Sequence, residues 1–179
     1  MLGLYHLNVD DVELVYLAPN EMANALDNEN ISAAAIWEPY AFEIKKKLGA
    51  EVIILDTDSL YTLYFNLVAK QSFANSNHET NKKLLQSLNQ AIEYIAENPI
   101  DAKLILMNKL KLKQNFIDWI WPDYFYHLSL NRSFMLTIKD EARWAIGANL
   151  SDVKKLPNFS HYIDTKSLSE VDANAVGIE

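Results

Sequence analysis

The chain has 179 residues, half of them hydrophobic and 22% charged, with a formal net charge of −8 and no cysteine. That length builds one domain with a real core or two small lobes. The composition excludes disulfides, iron–sulfur clusters, thiol catalysis and zinc-thiolate sites, and no apolar run approaches the roughly 20 residues of a membrane span. Lys45 to Lys47 and the Lys109, Lys111, Lys113 series are short and bordered by apolar residues, as on solvated helix faces. Nucleic acid is therefore not an expected partner. The opening MLGLYHLNVDD has no basic n-region, long apolar core or small-residue cleavage site, so no signal peptide is expected in this chain.

The first third reads as strand, helix, strand, helix, strand. Glu13 to Leu17 is a short apolar-rich run stopped by Pro19, and a helix follows with Met22, Ala23 and Leu26 on one side. Ile31 to Ile36 is small and apolar throughout, which suits a strand covered on both faces of a mostly parallel sheet. Ala41 to Leu48 alternates apolar and basic residues at helical spacing, Gly49 is placed to end that helix, and Val52 to Leu55 is another buried-strand pattern. Asp56 to Tyr64 is a polar turn entering an aromatic stretch, and it divides the chain into residues 1–62 and 63–179.

Beyond it, Leu63 to Lys70 reads as a strand whose sequence neighbours are helices. Glu79 to Asn98 is the clearest helix, with Leu84, Leu85, Leu88, Ala91, Ile92 and Ile95 on one stripe. Asn98 is placed to cap the next helix, Pro99 suits its first position, and Asp101 adds negative charge to its first turn. A short helix then holds Phe116, Ile117 and Trp119 to Trp121, followed by an extended segment from Tyr124 to Leu130. Thr137 with Asp140 reads as a capping pair for a helix through Ile146. The tail is turn-rich, with Tyr162-Ile163-Asp164 as a docking patch.

Catalytic and cofactor signatures are lacking. The chain has no GxGxxG, Walker-type loop, GxSxG or HExxH, and only four glycines. The four histidines, His6, His78, His127 and His161, have no second ligand at helical spacing, so no metal and no cofactor is expected. Asp56 and Asp58 read as a polar strand-to-turn transition rather than an acid/base pair. Trp119-Ile120-Trp121-Pro122 reads as core packing. Trp37-Glu38-Pro39-Tyr40 differs, because it breaks out where a buried strand ends. It offers either a flat apolar face beside a charge, or an inward tryptophan with Glu38 capping the next helix.

That segment and its surroundings resemble the nitrate, sulfonate, taurine and thiamine-precursor group of ABC-importer substrate-binding proteins. The resemblance is carried by Val12 to Ala18, Pro19 to Asp27, the AAxxWEPY run ending at Tyr40, Leu48-Gly49-Ala50, Val52 to Leu55 and the IEYIAENP helix end. It implies an α/β, type II periplasmic-binding-protein-like fold, present as the second lobe plus C-terminal helices of the first. On that reading the chain begins inside the second lobe, at a helix from Met1 to Leu7. Leu63 to Lys70 is then the crossover strand, and the first lobe is not included. The implied function is non-catalytic binding of a small organic solute, an amine, a pyrimidine or a sulfonate, for a membrane permease. The full-length protein is expected in the periplasm or another extracytoplasmic space. Ligand contacts are expected from Trp37, Glu38, Tyr40, Asn20 and Asp56, with an amine-bearing or heteroaromatic solute such as a pyrimidine preferred because Glu38 is expected to present a carboxylate. The alternatives are a pyrimidine-precursor synthase on the same fold, or an interaction module that binds no solute. Apolar surface left open is expected to drive self-association.

Overall fold

The structure, a computed structural model, describes residues 6–55 and 62–178. The chain forms two compact units. One draws on Met1–Leu63 and Leu112–Pro122, the other on Tyr64–Lys111 and Asp123–Glu179. Eight α-helices are found among the described residues: α1 Pro19–Asp27, α2 Tyr40–Leu48, α3 Gln71–Ser76, α4 His78–Glu97, α5 Pro99–Leu110, α6 Gln114–Ile120, α7 Arg132–Gly147 and α8 Thr165–Ser169. None of them is long and apolar enough to cross a membrane.

Local chemistry sets most helix ends. Pro19 opens α1, and the Glu21 carboxylate reaches back to accept the Ala18 N–H at 3.1 Å. Gly49 ends α2 at φ 56°, where the glycine is required by backbone conformation, since no atom lies within 4 Å of where a Cβ would stand. Lys45 closes the same end by donating from Nζ to the carbonyls of Gly49 and Val52, both at 2.8 Å.

Helices α4 and α5 meet at Asn98-Pro99 as the sequence indicates, but Asn98 does not cap with its side chain. Its backbone N–H and Nδ2 both turn back to the Tyr94 carbonyl, closing α4 instead. The Tyr94 hydroxyl bonds the Asp101 carboxylate across the junction.

Helix α7 begins earlier than Thr137 and Asp140 suggest. Asn131 is the cap, its Oδ1 accepting from Phe134 N at 2.8 Å, and Thr137 lies inside the helix. Asp140 pairs with Arg143 rather than capping. An asparagine at the end of an apolar run offers its amide oxygen sooner than a threonine six residues on. In the tail, Tyr162 is exposed while Asp164 caps α8 through Ser167 N at 3.2 Å.

The segments expected as strands form no ladder among the described residues. Glu13–Leu17, Ile31–Ile36, Val52–Leu55, Leu63–Lys70 and Tyr124–Leu130 all lie outside helices. A parallel bridge joins Leu130 to Val176, with Leu130 N donating to the Ala175 carbonyl and Gly177 N to the Leu130 carbonyl. These runs keep large apolar side chains in solvent: Tyr16 is 91% exposed, Ile53 81%, Phe65 78% and Val68 85%. Alternation and β-branching specify extended backbone, but a ladder also needs a neighbouring edge in register. In the second unit, aromatic contacts hold two of these runs without one. Phe65 stacks on Tyr124 at 6.2 Å, Tyr124 on Tyr126 at 6.1 Å, and Tyr64 meets Phe134 of α7 edge-on at 5.4 Å. The expected helix over residues 1–7 lies mostly outside the described residues, as does most of the Asp56–Tyr64 turn.

In the first unit the buried apolar side chains are Ala25, Ile44, Leu48 and Ile117. In the second they are Ala102, Phe134, Leu168 and Ala175. Ile117 is 1% exposed and keys α6 into the first unit. Truncating it in the Ile117→Ala variant is expected to cost about 2–5 kcal/mol, read as a lower urea midpoint. Asn131→Ala is expected to cost about 1 kcal/mol by removing the α7 cap, measured in the same denaturation.

Candidate functional site

Helices α1 and α2 pack against each other with their C-terminal ends joined. Lys47 Nζ, at the end of α2, donates to Asn24 Oδ1 and Asp27 Oδ2 near the end of α1, each at 2.7 Å. Both ion-pair partners are over two-fifths exposed, so this contact fixes direction more than it adds stability. Each helix has nine residues, about 13.5 Å of length. The extended run 31–36 reaches about 20 Å, enough to bring the chain back to the start of α2. The N-terminal ends of the two helices, with Asn20 on one and Trp37 to Tyr40 leading into the other, therefore open at the same end of the pair.

Trp37 is 61% exposed, and Tyr40 stands edge-on to it with ring centroids 6.1 Å apart. The Glu38–Pro39 bond is cis. Glu38 is half-buried and points the other way. Its Oε2 accepts the N–H of Phe42 in the first turn of α2 at 3.0 Å, and its Oε1 accepts the indole Nε1–H of Trp119 at 2.7 Å. The Phe42 ring meets Phe116 at 5.2 Å and Trp119 at 5.8 Å, both edge-on. One carboxylate thus satisfies a free N–H at the start of α2 and the only polar atom of Trp119, and an aromatic cluster shields it.

The sequence left two arrangements open, and the structure combines parts of each. Glu38 caps the helix, whereas Trp37 stays in solvent. Tyr40 is half-buried, and Asn20 is exposed at the second position of α1. Asp56 lies outside the described residues. Sequence reading overlooked Trp119 as the partner of Glu38, 81 positions away. The one hint is generic: an indole N–H inside an apolar cluster needs an acceptor.

Among the described residues no group of three or more His, Asp or Glu is arranged to hold a metal ion. Two shallow open depressions occur in the second unit, one lined by Gln86, Asn89, Gln90, Glu93 and Val171, the other by residues from Glu97 to Leu104. Neither includes Trp37 or its neighbours.

A protein from Bacillus subtilis (strain 168), named "Putative aliphatic sulfonates-binding protein", is 30% identical over 89 residues, covering 49% of this chain and 26% of that protein. A protein from Brucella abortus (strain 2308), named only as a binding protein, is 24% identical over 120 residues, covering 63% of this chain and 38% of its own length. A Brucella melitensis protein with the same kind of name matches to the same extent. The aligned region thus spans between about a quarter and two-fifths of these relatives' lengths. No solved structure matches significantly. The family model described as NMT1-like matches residues 2–106, more than half of the chain, and the chain belongs to the NMT1-like family.

Proposed function

We propose that this chain is part of an extracytoplasmic solute-binding protein that delivers a small organic solute to an ABC importer's membrane permease, and that Trp37 to Tyr40 is its ligand-facing loop. The observation that carries the reading is the split orientation of that loop. Glu38 is turned inward and held by two N–H donors, which leaves the Trp37 ring presented to solvent with Tyr40 set edge-on beside it. An exposed tryptophan on a loop anchored from behind suits contact with the apolar body of a ligand.

On this reading the extended runs 13–17, 31–36 and 52–55 take strand positions in an α/β, type II periplasmic-binding-protein-like lobe. Residues 1–62 supply that lobe, and residues 63–179 the crossover and the helical remainder. The protein binds its solute without chemical conversion.

The ligand class we favour is an aliphatic sulfonate. An amine would be favoured by a carboxylate facing the ligand, but each Glu38 oxygen already accepts a hydrogen bond within the protein. The relative bearing a sulfonate-binding name supports the same choice. Trp37 would take the alkyl chain, and the Tyr40 hydroxyl and Asn20 amide would donate to sulfonate oxygens; Asp56 is a further contact proposed on the resemblance alone. Exposed apolar residues such as Phe65 and Val68 support self-association of this chain.

Calorimetric titration with short alkanesulfonates, small amines and pyrimidines tests the assignment. Sulfonate binding is expected, with Trp37→Ala weakening it at least about tenfold, a loss of about 1.4 kcal/mol. Binding unaffected by that substitution, or no binding by any of the three classes, would reject the loop as the site. Glu38→Gln is expected to lower stability by about 1–3 kcal/mol, because an amide NH2 must then face one of two N–H donors. A double-mutant cycle with Trp119→Phe measures that coupling. Sedimentation is expected to show dimers or larger species, and a clean monomer would contradict the self-association.

A further inference from the structure

The second unit contains an unbroken polar chain that belongs to none of the features above. Ser167 is 1% exposed, the most deeply buried polar residue among those described. Its Oγ lies 2.5 Å from Asp164 Oδ2 and 3.2 Å from Nδ1 of His78, the first residue of α4. The other ring nitrogen, Nε2, lies 3.1 Å from Glu170 Oε1, and Lys82 Nζ sits 3.1 Å from Glu170 Oε2. The chain thus runs from Asp164 through Ser167 and His78 to Glu170, joining the start of α4 to both ends of α8.

Counting hydrogens along this chain decides its protonation. Three contacts, Asp164 to Ser167, Ser167 to His78 and His78 to Glu170, need three hydrogens. Both end groups are carboxylates, which only accept. The Ser167 hydroxyl carries one hydrogen, and the short approach to Asp164 claims it. His78 must then donate from Nδ1 to Ser167 and from Nε2 to Glu170. A neutral imidazole has one N–H and would leave a lone pair facing an acceptor at one contact; only the imidazolium satisfies all three.

The surrounding charges agree. Two carboxylates, Asp164 and Glu170, face the ring from the ends of α8, against one cation, Lys82, from its own helix. Glu79 follows it in the first turn of α4. Helix α3, which also packs on α4, has no charged residue, and α5 approaches α4 near Tyr94 and Asp101 at its other end. The positive end of the α4 dipole opposes a cation at His78, so the two carboxylates are what hold it there.

We infer that His78 is a protonation-dependent latch: as imidazolium it fastens α8 to α4, and on losing its proton it releases α8 and the tail that follows. The latch has something to hold. Ser167 and Leu168 of α8 are buried, and the turn Ala173–Ala175 behind them leads into the bridge with Leu130. Release would loosen residues 164–178 as a unit. The two carboxylates give a second, acidic limit. Burial pushes Asp164 up, but its hydrogen bonds from Ser167 and Lys166 N–H, with the His78 charge, leave it below its ordinary value of 3.8. Hydrogen bonds from Lys82 and then His78 hold Glu170 below 4.5. A carboxylate held low in the folded state contributes stability above its unfolded value and loses it as pH falls through the folded one. The imidazolium contact has the opposite sign and is lost as pH rises.

Hydrogen exchange of the α8 amides, read beside the ring-nitrogen NMR signals of His78 on the full chain, tests the latch. Spectra are recorded at a series of pH values from about 5.5 to 8.5, the range in which histidine side chains as a class are the groups that change charge. At the lower pH both His78 nitrogens are expected to carry hydrogen and α8 to be protected. Loss of the imidazolium signature and loss of α8 protection are expected together as pH rises. Ser167→Ala keeps the Asp164 cap on the backbone but frees Nδ1 from needing a hydrogen, so a neutral ring still serves Glu170. Its α8 protection is expected to become insensitive to this pH change. Three results would overturn the latch: a singly protonated ring at pH 5.5 in the wild-type chain, α8 protection that survives loss of the proton, or an unchanged pH response in Ser167→Ala.

Discussion

The carboxylate of Glu38 is the constraint on which the first unit turns. Leaving the charge of a half-buried glutamate unpaired would be costly. Glu38 is instead held by the Phe42 N–H and the Trp119 indole N–H. That arrangement starts α2, orients Phe42 toward Phe116 and Trp119, and joins the segment Leu112–Pro122 to a unit otherwise built from the first third of the chain. The neighbouring Trp37 ring is exposed, edge-on to Tyr40. What distinguishes the loop as a candidate site is therefore the residue next to the one that would touch the ligand.

The second unit is organised by a comparable polar link. Among the described residues Ser167 is buried beside alanine, isoleucine, leucine and phenylalanine side chains only. A buried hydroxyl is tolerated when its donor and acceptor capacity is used, and Asp164 and His78 use both. In both units a charged group placed between helix ends supplies directional bonds that modest apolar burial does not. The large apolar side chains left in solvent on the extended segments make the same point from the other side. Such surface is the kind that proteins cover with further structure or with another chain.

Much of the helical framework was legible in advance because its signals are local. Pro19, Gly49 and the Asn98-Pro99 pair mark boundaries through backbone geometry that each residue imposes on itself and its neighbours. The stripe from Leu84 to Ile95 gives α4 by period alone. The resemblance carried by the AAxxWEPY run pointed to the family that the match over residues 2–106 establishes. Where equally local choices compete, reading was less secure: Asn131 took the α7 cap that Thr137 and Asp140 suggested, and Asn98 turned its amide back toward α4.

The sequence by itself located α1, α2, α4, α5 and α6, the extended runs between them and the short loop that interrupts the pattern, because those properties depend on contacts within a few residues; α3 and α8 carried no comparable local signal. Tertiary structure alone decided which way each side chain of that loop points and what holds it there. Glu38 meets a tryptophan 81 positions away, and His78 meets a serine 89 positions away. No periodicity encodes such encounters, since they depend on how helices pack after they form. The extended runs show the same division: their apolar and aromatic residues mark segments outside the helices, while pairing requires a neighbouring edge in register.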